Sequence, residues 1–166
     1  MPDTIPNLWP DAFKVDVQTP LTILRVQAGL LGKVTRGILQ SEVETETVKD
    51  QVQHRLVIVA PAYNAYRHTV LVVRHHTHFP YPAEVKAEAL AEKVERRNPL
   101  YPDPLGTTYE TVYPSAHNDD ELQVYVQNAL RSEQTQAAVL SLIAKSNEAT
   151  GTPPLPKEPA DSQDPQ

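Results

Sequence analysis

"HRLVIVAPAYNAYRHTVLVVRHH" (residues 54–76) holds two runs rich in valine, isoleucine and leucine, separated by a short polar stretch with proline and asparagine. Branched apolar residues favour extended chain, and proline with asparagine favours a turn. The stretch therefore reads as two antiparallel strands, 54–60 and 67–76, joined by "PAYNAY" (61–66). Just upstream, "SEVETETV" (41–48) alternates glutamates with Val43, Thr45 and Thr47, as a half-exposed strand does, and "KDQ" can turn the chain. The expected sheet is a three-stranded antiparallel meander with 54–60 in the middle. In that middle strand Leu56 and Ile58 are apolar, and so are Val57 and Val59 between them. A sheet with one wet face does not need this, so both faces are expected to be covered, by helices or by a second subunit.

Working outward, Thr19 followed by Pro20 is a helix start, with a capping hydroxyl and proline at the first helical position. "PLTILRVQAGLLGKVTRGILQ" (20–40) is then read as one helix. Leu21, Leu24, Ala28, Leu31, Thr35 and Ile38 form its inner face, and Ile23, Val26, Leu30, Val34 and Leu39 widen it. Gly29, Gly32 and Gly37 cost helix stability and suggest close approach of another backbone. "GLLGKVT" is not a phosphate loop, because Gln27 stands where the first glycine is needed and Val34 where the hydroxyl is needed. Downstream, "PAEVKAEALAEKVERR" (82–97) is expected to be a charged helix with Val85, Ala89, Leu90 and Val94 as its stripe. Residues 98–117, with tyrosines at 101, 109 and 113, form a long surface excursion. Asn118 and Ser132 cap two further helices, lined by Leu122, Tyr125, Val126, Ala129 and Leu130, then by Val139, Leu140, Ile143 and Ala144.

The fold class is thus α+β: an N-terminal helix, a three-stranded antiparallel meander, then two or three helices. Residues 1–18 are an extended arm pinned by Trp9 and Phe13, residues 19–150 a single domain, and 151–166 a proline-rich disordered tail. Net charge is −6, which opposes nonspecific binding to nucleic acid or anionic membranes. With no cysteine in the chain, disulfides, thiolate metal sites and a cysteine nucleophile are excluded. The opening "MPDTIPNLWPDAFK" has no basic residue before Lys14 and no apolar core, unlike a secretory signal, and no stretch reaches a membrane span. A cytoplasmic location follows by elimination.

Five of the six histidines fall between residues 54 and 78. Zinc or another divalent metal needs three or four converging ligands. On a strand His76 and His78 share a face, about 7 Å apart at Cα, while His75 points the other way and His68 lies about 26 Å off. His54 decides the matter through hairpin register. If Ala60 opposes Arg67, His54 opposes Val73 and joins His75, leaving two histidines on each face. If Pro61 opposes Arg67, His54 lies beside His76 with His78 beyond, and the metal triad His54, His76, His78 forms. Proline is poor at a paired position, so the first register is preferred. Arg74 on the same face also opposes a cation there. Ser115, His117, Asp119 and Asp120 lie close together, but a catalytic triad requires a nucleophile on a strained turn, and Ser115 reads instead as part of a helix-capping region.

"PLTILRVQAGLLGKVTRGILQSEV", "HRLVIVAPAYNAYRHTVLVVRH" and "YPAEV" together resemble a group of small bacterial proteins without an assigned activity. The likeness lies in Pro-x-x-Ile-Leu-x-x-Gln-Ala-x-Leu-Leu-Gly-Lys, the Ala-Pro-Ala…Tyr-Arg turn and the Tyr-Pro after the third strand. It covers roughly residues 20–85 and implies a bacterial cytosolic origin but no catalytic residue. The histidine run is where this chain departs from the group. The expected function is a non-enzymatic interaction module that buries a sheet face or helix groove against a protein partner or a copy of itself. The competing reading is a histidine-dependent metal-binding protein, with hydrolysis as its chemistry.

Overall fold

A computed structural model describes residues 16–96 and 108–151. Its elements are α1 (Pro20–Val34), β1 (Gln40–Val48), β2 (Gln51–Ala60), β3 (Tyr66–His76), β4 (Phe79–Lys86), a 3₁₀ turn (Glu88–Leu90), β5 (Glu92–Arg96), β6 (Thr108–Val112), β7 (Ser115–Ala116), α2 (Asp119–Arg131) and α3 (Glu133–Thr150). The α+β class stands, but the meander has four strands rather than three, and β7 adds a fifth to give the order β1-β2-β3-β4-β7. β5 and β6 form a separate two-stranded ribbon. Trp9 and Phe13 of the expected arm, Tyr101 of the excursion and the proline-rich tail beyond Gly151 lie outside the described residues. Among the described residues, no helix is long and apolar enough to cross a membrane.

α1 starts as its sequence suggests, with the Thr19 hydroxyl accepting from the Thr22 amide and Pro20 in the first turn. It stops at Val34, short of the expected Gln40. Arg36 and Gly37 take positive φ, and the Gly37 amide returns to the Gly32 carbonyl at 2.7 Å. The Thr35 hydroxyl bonds to the Leu31 carbonyl and accepts from the Leu39 amide, so the turn closes on itself. Gly37, at φ 81°, is there for its backbone freedom. The close packing expected of the glycines is not found at Gly29 or Gly37, where a Cβ would meet nothing within 4 Å, and at Gly32 it amounts to ordinary contact with the Leu39 carbonyl at 3.7 Å.

The largest departure is at 82–97, which is strand, 3₁₀ turn and strand rather than helix. Ala83, Val85 and Ala87 are buried at every second position, and β4 pairs with β3 through His75↔Ala83 and Val73↔Val85. Alanine, glutamate and lysine favour helix by tenths of a kcal/mol per residue, which pairing and burial along a sheet edge outweigh. The excursion returns as β6 and β7, and β7 pairs with β4 through Ala83↔Ala116 and Glu84↔Ser115. α2 carries a reciprocal cap: Asn118 accepts from the Glu121 amide, and the Glu121 carboxylate accepts from the His117 amide. Ser132 caps α3 by accepting from the Thr135 amide.

One face of the sheet carries the core. Leu56, Leu71, Val73, Ala83 and Val85 pack with Ile23, Leu24 and Ala28 of α1 and Leu122, Val126 and Ala129 of α2. Ile58, Ala60 and Leu39 pack with Leu142 of α3, while Leu140, expected inside, is exposed. Of the two covers expected for the opposite face, the described residues supply no helix. On the opposite face, Arg55 pairs with Glu46 at 2.6 Å, Arg67 with Glu42 and Glu44, and Arg74 lies 4.0 Å from Glu84. Val57 is only 2% exposed although no helix in the described residues covers it. Arg67 reaches from β3 across β2 to Glu42 and Glu44 of β1, and Glu42 stands directly opposite Val57 in the β1–β2 pair.

Candidate functional site

The β2–β3 hairpin leaves its turn with Ala60 opposite Tyr66, one residue away from the expected Ala60–Arg67 pairing. A bulge then follows: Val57 opposes Thr69 and Leu56 opposes Leu71, so Val70 has no partner in β2. Past the bulge His54 opposes Val73, as the preferred register requires, and lies on the helix-covered face with His75. His76 opposes Gln51 on the other face. The structure therefore gathers His54 with His75 and His76 with His78, and does not gather His54, His76 and His78. The His76 and His78 rings lie 5.4 Å apart, and the His76 Nδ1 accepts from the His78 amide at 3.3 Å. Among the described residues, no group of three or more histidines or carboxylates is arranged to hold a metal ion.

His54 is 3% exposed, the one buried histidine of the described residues. Its Nδ1 lies 2.9 Å from Thr45 Oγ1 across the β1–β2 pair, and its Nε2 lies 3.1 Å from His75 Nε2. The His75 Nδ1 is in turn 2.8 Å from the His76 carbonyl and 3.2 Å from that of Phe79. Carbonyls only accept, so this Nδ1 carries a proton. With His75 neutral its Nε2 then accepts, His54 Nε2 donates to it, and the Thr45 hydroxyl donates to His54 Nδ1. Every polar atom of the chain is satisfied, and its direction is fixed. Burial holds the His54 pKa down to about 4 from 6.5, with the neighbouring His75 and then Arg25 of α1 adding to the shift. His54 is neutral at pH 7.

Thr45 is the member that sequence reasoning missed. The alternation of β1 puts Val43, Thr45 and Thr47 on the inner face, and a two-residue Lys49–Asp50 turn then sets Thr45 opposite His54. Ser115 sits in β7 opposite Glu84 rather than in a cap, and the His117 amide belongs to the α2 cap. Neither is arranged as a nucleophile and base.

A second feature lies on the helix layer. Val26, Leu30 and Val34 follow one stripe of α1 at 56%, 43% and 80% exposure, although all three were expected to be inside. Beside them a groove of about 570 Å³ runs between α1 and α2, with Ile23, Val124 and Leu130 among its lining. Asp120 lies at one end of its α2 wall and Arg131 at the other.

No family model, curated protein or solved structure matches this chain. Its functional reading rests on its own residues.

Proposed function

We propose that the protein is a non-enzymatic assembly module that pairs with a second copy of itself through α1 and the adjoining α1–α2 groove. The observation that carries this reading is the Val26–Leu30–Val34 stripe, three large apolar side chains in open solvent on one face of a helix. A second copy is the favoured occupant because the groove is acidic at its Asp120 end and basic at its Arg131 end. A two-fold axis across the helices sets the acidic end of one copy on the basic end of the other.

Light scattering on the full chain at micromolar concentration is expected to give the mass of two chains. Leu30→Glu combined with Val34→Glu removes apolar burial worth about 1.5–3 kcal/mol per side chain. The pair is expected to weaken association at least a hundredfold while leaving the melting profile of the monomer in place, because both positions are exposed. A single-chain mass for the unaltered protein, or a two-chain mass for the double variant, overturns the reading.

A further inference from the structure

The Thr45–His54–His75 chain joins an edge strand to the β3–β4 turn through a buried ring, and its direction depends on how many protons it holds. In the neutral state the Thr45 hydroxyl, His54 Nε2 and His75 Nδ1 are the donors, pointing successively toward the turn. We propose that this chain is a single-proton site: one proton entering it charges His75 and reverses the hydrogen bonds on either side of His54. The proton arrives at His54 Nδ1, which faces Thr45, and a new Nδ1–H bond forms there. The His54 Nε2–H bond breaks as its proton crosses the 3.1 Å gap to His75 Nε2. His75 is then an imidazolium, with its Nδ1–H still donating to the His76 and Phe79 carbonyls and its Nε2–H donating back to His54. His54 is neutral again but with its proton on Nδ1, donating to Thr45 Oγ1, whose own hydroxyl hydrogen swings free. One proton has entered, none has left, and the charge rests at the end where two carbonyls accept from it.

A second proton is opposed by everything charged that faces His54. The imidazolium of His75 lies on β3 and the Arg25 guanidinium on α1, while β1 and β4 contribute Thr45 and Ala83, which do not titrate. The burial that keeps His54 uncharged supports the same occupancy. The pair therefore switches between two neutral forms of His54 according to the charge on His75. That change reaches Thr45, on the strand at the open edge of the sheet.

Long-range proton–nitrogen correlation NMR on the nitrogen-labelled full chain reads each ring nitrogen directly. As acid is added, the pair is expected to take up one proton, which leaves a proton on both ring nitrogens of His75. With it His54 is expected to stay neutral and move its proton from Nε2 to Nδ1. Two results overturn the proposal: His54 keeping its proton on Nε2 throughout, or one equivalent of zinc displacing the proton between the two Nε2 atoms.

Discussion

Acidification from pH 7 to pH 4 is expected to cost the fold about 3 kcal/mol through His54 alone. The group has its ordinary pKa of 6.5 in the unfolded chain and about 4 in the folded one, and each unit is worth about 1.4 kcal/mol. Because the folded value is the lower one, the unfolded state binds more protons between the two. The stabilisation is fully present above pH 6.5, declines as the pH falls below it, and is spent at about pH 4. No large discount for solvent screening applies, since the ring is 3% exposed. Urea melts of the protein and of His54→Leu at pH 7 and pH 4 isolate the effect from the titrating carboxylates common to both. The variant is expected to lose about 3 kcal/mol less over the interval. Parallel pH dependences in the two proteins would falsify the assignment of the acid sensitivity to His54.

The second large effect separates strand from helix at 82–97. Ala83→Asp is expected to cost at least about 3 kcal/mol, because Ala83 is fully buried between β3 and β7 and an aspartate there would be an uncompensated charge. Ala89→Asp, on the exposed side of the 3₁₀ turn, is expected to stay within about 0.5 kcal/mol. A helix with the stripe Val85, Ala89, Leu90, Val94 predicts the reverse order, with Ala89 inside and Ala83 off the stripe. Urea midpoints of the two variants decide between them, and equal midpoints sink the strand placement.

β2, β3 and the start of α1 were legible because propensity, pattern and punctuation agree there. Valine runs, a Pro–Asn turn and a Thr–Pro cap each specify one local structure. β4 was not, because its inward side chains are Ala83, Val85 and Ala87: two alanines give almost no period-two signal, and the intervening Glu84, Lys86 and Glu88 spell a helix. The second face of β2 is a mixed case: Val57 is buried there, as its apolar character suggested, on a face where Arg55 and Arg67 pair with Glu42, Glu44 and Glu46. At the site, the pairing of His54 with His75 followed from the preferred register, but the route to it did not. The hairpin begins one residue off and the bulge corrects it. Val26, Leu30 and Val34 were read as widening the inner face of α1, so its exposed stripe appears only once the helix is docked.

The unpaired Val70 sets the phase of everything after it. Between the turn and the bulge, the even-numbered residues of β3 share the helix-covered side with Ile58 and Ala60; beyond it, the odd-numbered ones do. Were Val70 drawn into regular pairing instead, the early phase would run on to the end of the strand, with Val72, Arg74 and His76 under the helices and Leu71, Val73 and His75 out among the glutamates and arginines. Deleting Val70 has the opposite consequence: Leu71 then follows Thr69 directly and still opposes Leu56, so the inside and the outside of the strand are kept. Val70 is therefore the residue of β3 that the pairing can spare, and its looping out is what keeps His75 beside His54.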